Sequence, residues 1–309
     1  MKKTGLFAAL AAALLFTGCF HKIHELEPSK YGDLAAGYLG TSLQWEQADD
    51  AGTAVRSLSL SVGGRGASFS RNYKSAVEAA EEVLQLPTGP CDVLARVNMG
   101  DDDGFAIAGM PATKNELAEG LGDVIVSLKN PVSSPEQAWF GVEHTYIKNK
   151  EIVIVQAGLQ RLLSSFSVKV DDVPAGTKLV FTLSNVAKNV NLTARDANGR
   201  YGLPGKQSVG DLVIATLTAA SDGPLGVEGF KVMPTASAFT RCILTVNVTP
   251  PSGNLETYVC DAPLMEAGKG YSLNLNYGTL EPYMYINSSS ISAWEDGWTV
   301  NGEILNPQE

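Results

Sequence analysis

Tyr271-Ser272-Leu273-Asn274-Leu275-Asn276-Tyr277 decides the fold class. Four large apolar or aromatic side chains alternate with three small polar ones. That period of two puts one face of an extended chain against a core and the other in water. Upstream, Cys242 to Val248 and Leu255 to Cys260 are further strand runs, joined through Pro250-Pro251-Ser252-Gly253, a turn sequence. Leu179, Phe181 and Leu183 alternate with Val180, Thr182 and Ser184, and Phe166, Val168 and Val170 alternate with Ser165, Ser167 and Lys169.

The first half carries the same signal more faintly. Tyr38 to Glu46 and Arg56 to Val62 are short alternating runs, the second broken by Gly63-Gly64-Arg65-Gly66. Leu86-Pro87-Thr88-Gly89-Pro90 is a turn and Cys91 to Asn98 the next strand. Tyr146-Ile147 and Ile152 to Val155 flank Lys148 to Glu151 as a hairpin. Asn72 to Gln85 suits either a helix or a strand. Thr113-Lys114-Asn115-Glu116 fits a capping box, which predicts a short helix ended by Gly120 or Gly122. Many short strands, Gly/Pro-rich turns and little long helical periodicity predict an all-β chain of antiparallel sandwiches.

Lys2 and Lys3 precede an apolar and small-residue run from Gly5 to Phe16, closed by Thr17, Gly18 and Cys19. This is an export signal over residues 1–18, shorter than the roughly 20 apolar residues that span a bilayer. Phe16-Thr17-Gly18-Cys19 resembles the bacterial lipobox, in which the cysteine becomes a lipidated N-terminus. Residues 19–33 then read as a lipidated tether, 34–157 as the N-terminal sandwich and 158–309 as the C-terminal one. Cleavage ahead of Cys19 removes two basic residues and no acidic one, leaving 21 against 33 and a charge of −12 in place of −10. Such a surface argues against nucleic acid.

Chemistry is sparse. Of three histidines, His21 and His24 fall in the tether and His144 stands alone, so spacing assembles no metal site. Asp101-Asp102-Asp103-Gly104 lacks the closing glutamate of a calcium loop. No nucleophile elbow, zinc-protease helix or phosphate loop is present, and no cofactor is expected. Trp45, Trp139, Trp294 and Trp298 are the residues that could stack on sugars. Asn191, Asn247 and Asn287 fit the glycosylation pattern, which carries little weight in a bacterial lipoprotein. Beyond Cys19 the cysteines are Cys91, Cys242 and Cys260, an odd number. If the turn centres the hairpin so that Val248 faces Asn254, Cys242 faces Cys260 within disulfide reach.

Two stretches resemble the fimbrillin superfamily of Bacteroidales-type (type V) pili. The first is Ser57 to Val62, followed by Leu86-Pro87-Thr88-Gly89, Cys91 to Asn98 and the segment opened by Thr113. It is similar to the family's N-terminal domain. The second, Leu159 to Val170, is similar to the opening strand of the C-terminal domain in FimB-like lipid-anchored accessory members. Ile291 to Trp298 and Gly302-Glu303-Ile304 resemble the close of many such lipoproteins. The resemblance implies two tandem transthyretin-like β-sandwiches with a short helix in the first. It also implies a non-enzymatic anchor or accessory subunit at the outer membrane that assembles with other fimbrial subunits by strand complementation. Polymerising members are clipped after an arginine ahead of an early strand, a role for which Arg56 is placed. A glycan-binding surface lipoprotein of a polysaccharide-uptake system is the alternative, and a host or glycan ligand stays open. Either Tyr38 to Glu46 or Ile291 to Ile304 would complete a groove, its own or a partner's.

Overall fold

The computed structural model describes residues 22–24, 36–64, 67–110, 120–280, 283–284 and 298–301. Its elements are almost all strands, in mostly antiparallel sheets of a β-sandwich protein. The chain forms two compact units. One takes Met1–Ala95, Pro111–Leu121 and Val142–Gly158, the other Arg96–Met110, Gly122–Gly141 and Leu159–Glu309.

The first ten strands are β1 (Lys22–His24), β2 (Ala36–Trp45), β3 (Leu58–Gly64), β4 (Ala67–Tyr73), β5 (Glu82–Pro87), β6 (Gly89–Val97), β7 (Phe105–Ala108), β8 (Ile125–Leu128), β9 (Trp139–Ile147) and β10 (Ile152–Arg161). Eight of them make one sheet in the order β1-β5-β2-β10-β9-β6-β3-β4. Leu39, Val62, Leu84, Leu86, Cys91, Val93, Ile147 and Val155 come from six of these strands and form one buried cluster. The sheet also bends back on itself, because Arg71 on β4 ion-pairs with Glu82 on β5.

The ambiguous Asn72-to-Gln85 stretch is divided among three elements. It ends β4, forms the helix α1 (Ala76–Glu81) and begins β5. Capping fixes where the helix starts. The Ser75 hydroxyl accepts the Glu78 amide at 3.1 Å, and the Glu78 carboxylate accepts the Lys74 amide at 2.8 Å. Ala79 faces the core, and its carbonyl accepts from Thr41 on β2 at 3.5 Å. The capping box at Thr113 lies outside the described residues. Lys22–His24, inside the expected tether, pairs in parallel with Glu82–Leu84.

The outer side of β3 is covered by the chain at Gly120 and Leu121. A Cβ on Gly63 would lie 2.7 Å from the Gly120 carbonyl and 2.8 Å from the Leu121 nitrogen, both backbone atoms. Gly63→Ala must therefore push the segment off the sheet, at a cost of about 1–3 kcal/mol. Gly52→Ala, which meets nothing within 4 Å, should leave stability unchanged. Chemical denaturation of the two variants checks this contrast.

The later strands are β11 (Ser164–Val173), β12 (Lys178–Ser184), β13 (Asn189–Arg195), β14 (Tyr201–Pro204), β15 (Leu212–Thr218), β16 (Gly223–Val232), β17 (Cys242–Thr249), β18 (Glu256–Ala262), β19 (Gly270–Asn276), β20 (Tyr283–Met284) and β21 (Trp298–Asn301). They form sheets β16-β11-β19-β21 and β15-β12-β17-β18-β20, and a third, β14-β13-β8-β7. Pairing of β8 with β13 draws a sequence-early segment into the second unit. On β19, Tyr271 and Leu273 are buried while Asn276 is exposed. Phe166, Val168 and Val170 on β11, and Leu179, Phe181 and Leu183 on β12, are buried as their alternation predicts. The β11–β19 pairing is parallel, which alternation alone does not reveal.

The hairpin of β17 and β18 corrects the expected register. Val248 pairs with Glu256, so Cys242 faces Ala262 and Cys260 faces Leu244. The turn hydrogen bond from the Gly253 amide to the Pro250 carbonyl, at 2.8 Å, is followed by two further unpaired residues, Asn254 and Leu255. Those residues move the pairing by two positions. Both cysteines keep the core face but sit diagonally, and Cys91, Cys242 and Cys260 are all free and buried.

Candidate functional site: the tether and the sheet edges

Cys19 lies outside the described residues, and β1 begins three positions after it. At roughly 3.3–3.6 Å per residue, an extended chain covers only about 10 Å between Cys19 and Lys22. Arg56 is exposed in a bend just ahead of β3. The strand preceding it, β2, is interior, with β5 on one side and β10 on the other. Tyr38 to Glu46 thus contributes to a core strand, and Leu39 is 0% exposed. Of Ile291 to Ile304, only Trp298–Asn301 is described, paired in parallel with Tyr271–Asn274 of β19.

The thiols are chemically quiet. Burial pushes Cys91 up to about 12, and the neighbouring Asp92 carboxylate adds to the shift. Cys260 is likewise pushed up to about 12, by burial and then by Asp261. Burial pushes Cys242 up to about 11, against hydrogen bonding from Thr235, whose hydroxyl lies 3.1 Å from the sulfur. A group whose pKa is raised by folding contributes stability that is complete below its unfolded pKa and lost as pH rises towards the folded one. The thiols should therefore weaken the fold as pH climbs from about 9 towards 11–12. At pH 8 a thiol reagent should modify none of the three in the native chain and all three in denaturant without reductant. Fewer than three in denaturant would show a bridge.

His144, isolated in sequence, meets Asp92 on the neighbouring strand β6, Nδ1 to Oδ1 at 2.5 Å. The other Asp92 oxygen accepts the Leu121 amide at 3.3 Å, so this carboxylate secures the covering segment to β6. No local pattern links residues 92 and 144, and only the fold brings them together. Among the described residues no group of three or more metal-ligating side chains occurs. The triple aspartate is a capped turn. Asp103 accepts the Gly100 amide at 2.8 Å, and Asp101 pairs with Lys129 at 3.0 Å.

The tryptophans make no exposed platform among the described side chains. Trp139 is 4% exposed and Trp45 half-buried. Trp294 lies outside the described residues, and of Trp298 only the backbone is described. Asn191 accepts the Thr193 and Ala194 amides and donates to Asp123, so its amide organises the irregularity within β13, where the register against β14 shifts. Asn247 accepts the Thr257 hydroxyl on the next strand at 2.8 Å. Asn287 falls outside the described residues.

What the geometry offers a partner is sheet edge. β14 and β7 each have four residues, and β14 carries Pro204. β16 is long but blunted by Pro224, Glu228 and two register shifts against β11. β4 carries Arg71. β15, Leu212–Thr218, has one neighbour, β12, and contains no charge, proline or glycine.

No protein-family model and no curated protein matches the chain. Several solved structures overlap it. A candidate adhesin of Bacteroides thetaiotaomicron aligns at a TM-score of 0.48 and 14% identity, over 85% of this chain and 98% of that one. The fimbrial anchor protein Mfa2 of Porphyromonas gingivalis aligns at 0.45 and 14%, over 71% and 80%. A candidate polysaccharide-binding protein of Bacteroides thetaiotaomicron aligns at 0.45 and 12%, over 88% and 99%. At such values the functional reading rests on the chain's own residues.

Proposed function

We propose that the chain is a non-enzymatic surface lipoprotein, held in the outer membrane by acyl chains on Cys19 and serving as an anchor or accessory subunit of a fimbria. One observation carries this reading. A lipobox-like Phe16-Thr17-Gly18-Cys19 stands ahead of an all-β body whose early and middle stretches resemble fimbrillins. A lasting anchor needs two or more acyl chains, because one alone binds only reversibly. The body has the means to join other subunits, since strand addition to a sheet edge gains a ladder of backbone hydrogen bonds. In this role Arg56 stays uncut, because the preceding strand β2 belongs to the subunit's own core.

The glycan-binding alternative is a reading that uses exposed tryptophans. Trp139 and Trp45 are buried or half-buried instead. Isolation of the whole protein from cell envelopes, with whatever accompanies it, tests the proposal. Fimbrial subunits should co-purify, and deletion of the gene should release or shorten the fibre. Recovery alone from cells with normal fibres would reject the fimbrial role.

A further inference from the structure

Arg96 carries a buried charge that no protein group balances. It lies on β6, an interior strand between β9 and β3. Alternation sets it on the face opposite Cys91 and Val93, which belong to the buried cluster. Leu94 and Asn98, two residues to either side on its own face, are 0% and 2% exposed, and Arg96 itself is 8% exposed. Among the described residues no hydrogen bond or ion pair reaches its guanidinium, and Nε is shut off from water without an acceptor. The two Nη nitrogens are not shut off. The stem is therefore walled in, and only the planar end of the guanidinium meets a narrow opening.

Burial is the only cause acting on this group, and it pushes the pKa down to about 10, so the charge persists at neutral pH. No carboxylate stands close enough to oppose the shift, in a chain with 33 acidic residues. Other half-buried cations are satisfied within the protein. Arg71 ion-pairs with Glu82, and the Lys231 ammonium donates to the Ser165 hydroxyl at 3.2 Å and the Gly229 carbonyl at 3.4 Å. A buried charge without a partner destabilises a fold, and an apolar side chain of similar length would avoid that cost. The charge at Arg96 is thus useful only towards a group from outside the chain.

The shape of the guanidinium selects that group. Its two Nη atoms present parallel donors that match the two oxygens of a carboxylate. One positive charge with no second cation acting beside it balances a monovalent anion and not a doubly charged phosphate. A narrow opening admits a small group end-on and keeps out the flat face of a macromolecule. We infer that Arg96 is the binding point for a small carboxylate, held end-on by the fork of the guanidinium. This site goes beyond the fimbrial role and does not depend on it.

Thermal unfolding of the purified full-length lipoprotein, at fixed ionic strength, tests the site with acetate as the probe. Chloride controls for charge alone, and neutral acetamide for shape alone. Acetate at about 100 mM should raise the unfolding midpoint by about 3 °C over either control. Arg96→Met should abolish that difference while melting no lower than the wild type, because it removes an unbalanced charge and keeps the stem. Arg96→Lys, which keeps the charge and loses the fork, should retain less than half of the difference. An equal midpoint in acetate and chloride would overturn the inference. So would an undiminished acetate effect in Arg96→Met. An Arg96→Met protein that melts well below the wild type, or does not fold, would show that the guanidinium serves the fold instead. None of these outcomes bears on whether fimbrial subunits co-purify.

Discussion

Cys19→Ala is expected to move the protein from the membrane pellet to the soluble fraction while leaving it folded. No helix among the described residues is long and apolar enough to cross a membrane. The proposed hold on the bilayer is the acyl chains on Cys19. Each buried methylene is worth about 0.8 kcal/mol, so losing two or three chains removes far more binding than protein contacts at a charged bilayer surface restore. The acidic body, −12 once residues 1–18 are removed, has little attraction to anionic lipid. Fractionation after a high-salt wash is the measurement, with thermal unfolding as the control for folding. A variant that remains in the pellet after the wash would rule out lipid as the anchor.

The second large effect is expected at β2. Leu39 is fully buried, and its truncation to alanine should cost about 2–5 kcal/mol, as for other large core residues. Gly37→Ala should be at least as damaging, because its Cβ would lie 1.9 Å from the Lys148 carbonyl oxygen. On either side of that glycine the chain is held by backbone hydrogen bonds, from Tyr38 to Glu151 at 2.9 Å and from Lys150 to Ala36 at 2.8 Å. On these contacts β2 is expected to behave as a permanent strand rather than an exchangeable one. They also predict the fate of a chain cut after Arg56. The severed N-terminal piece should stay bound through β2 until denaturant is added. Its release under native conditions, with the rest still folded, would show that β2 can be exchanged and would reopen processing at Arg56.

Local chemistry decides some features of this protein and leaves others to the fold. The alternation in β11, β12 and β19 follows from side-chain direction along an extended chain, a property of each strand alone. It therefore identified those strands, their buried faces and the all-β class. The proposed export signal and the cysteine that closes it rest on equally local residues. The sequence reading did not find β13 to β16. Asn189–Arg195 alternates weakly, and Gly223–Val232 is interrupted by proline and glycines, so neither carries a clear period. Asn72 to Gln85 was ambiguous because its alanines and valines suit both states. Its end came from Ser75 and Glu78 capping α1, and from β5 finding partners in the sheet.

Register, strand direction and cross-sheet contacts belong to the tertiary structure. The Cys242–Cys260 offset depends on two residues beyond the turn that have no pairing preference of their own. The parallel join of β11 to β19, the capture of β8 by β13 and the meeting of His144 with Asp92 each link residues far apart in the chain. Such contacts are chosen by which apolar faces can be buried together. A period of two says which side of a strand is buried, but not which strand lies beside it.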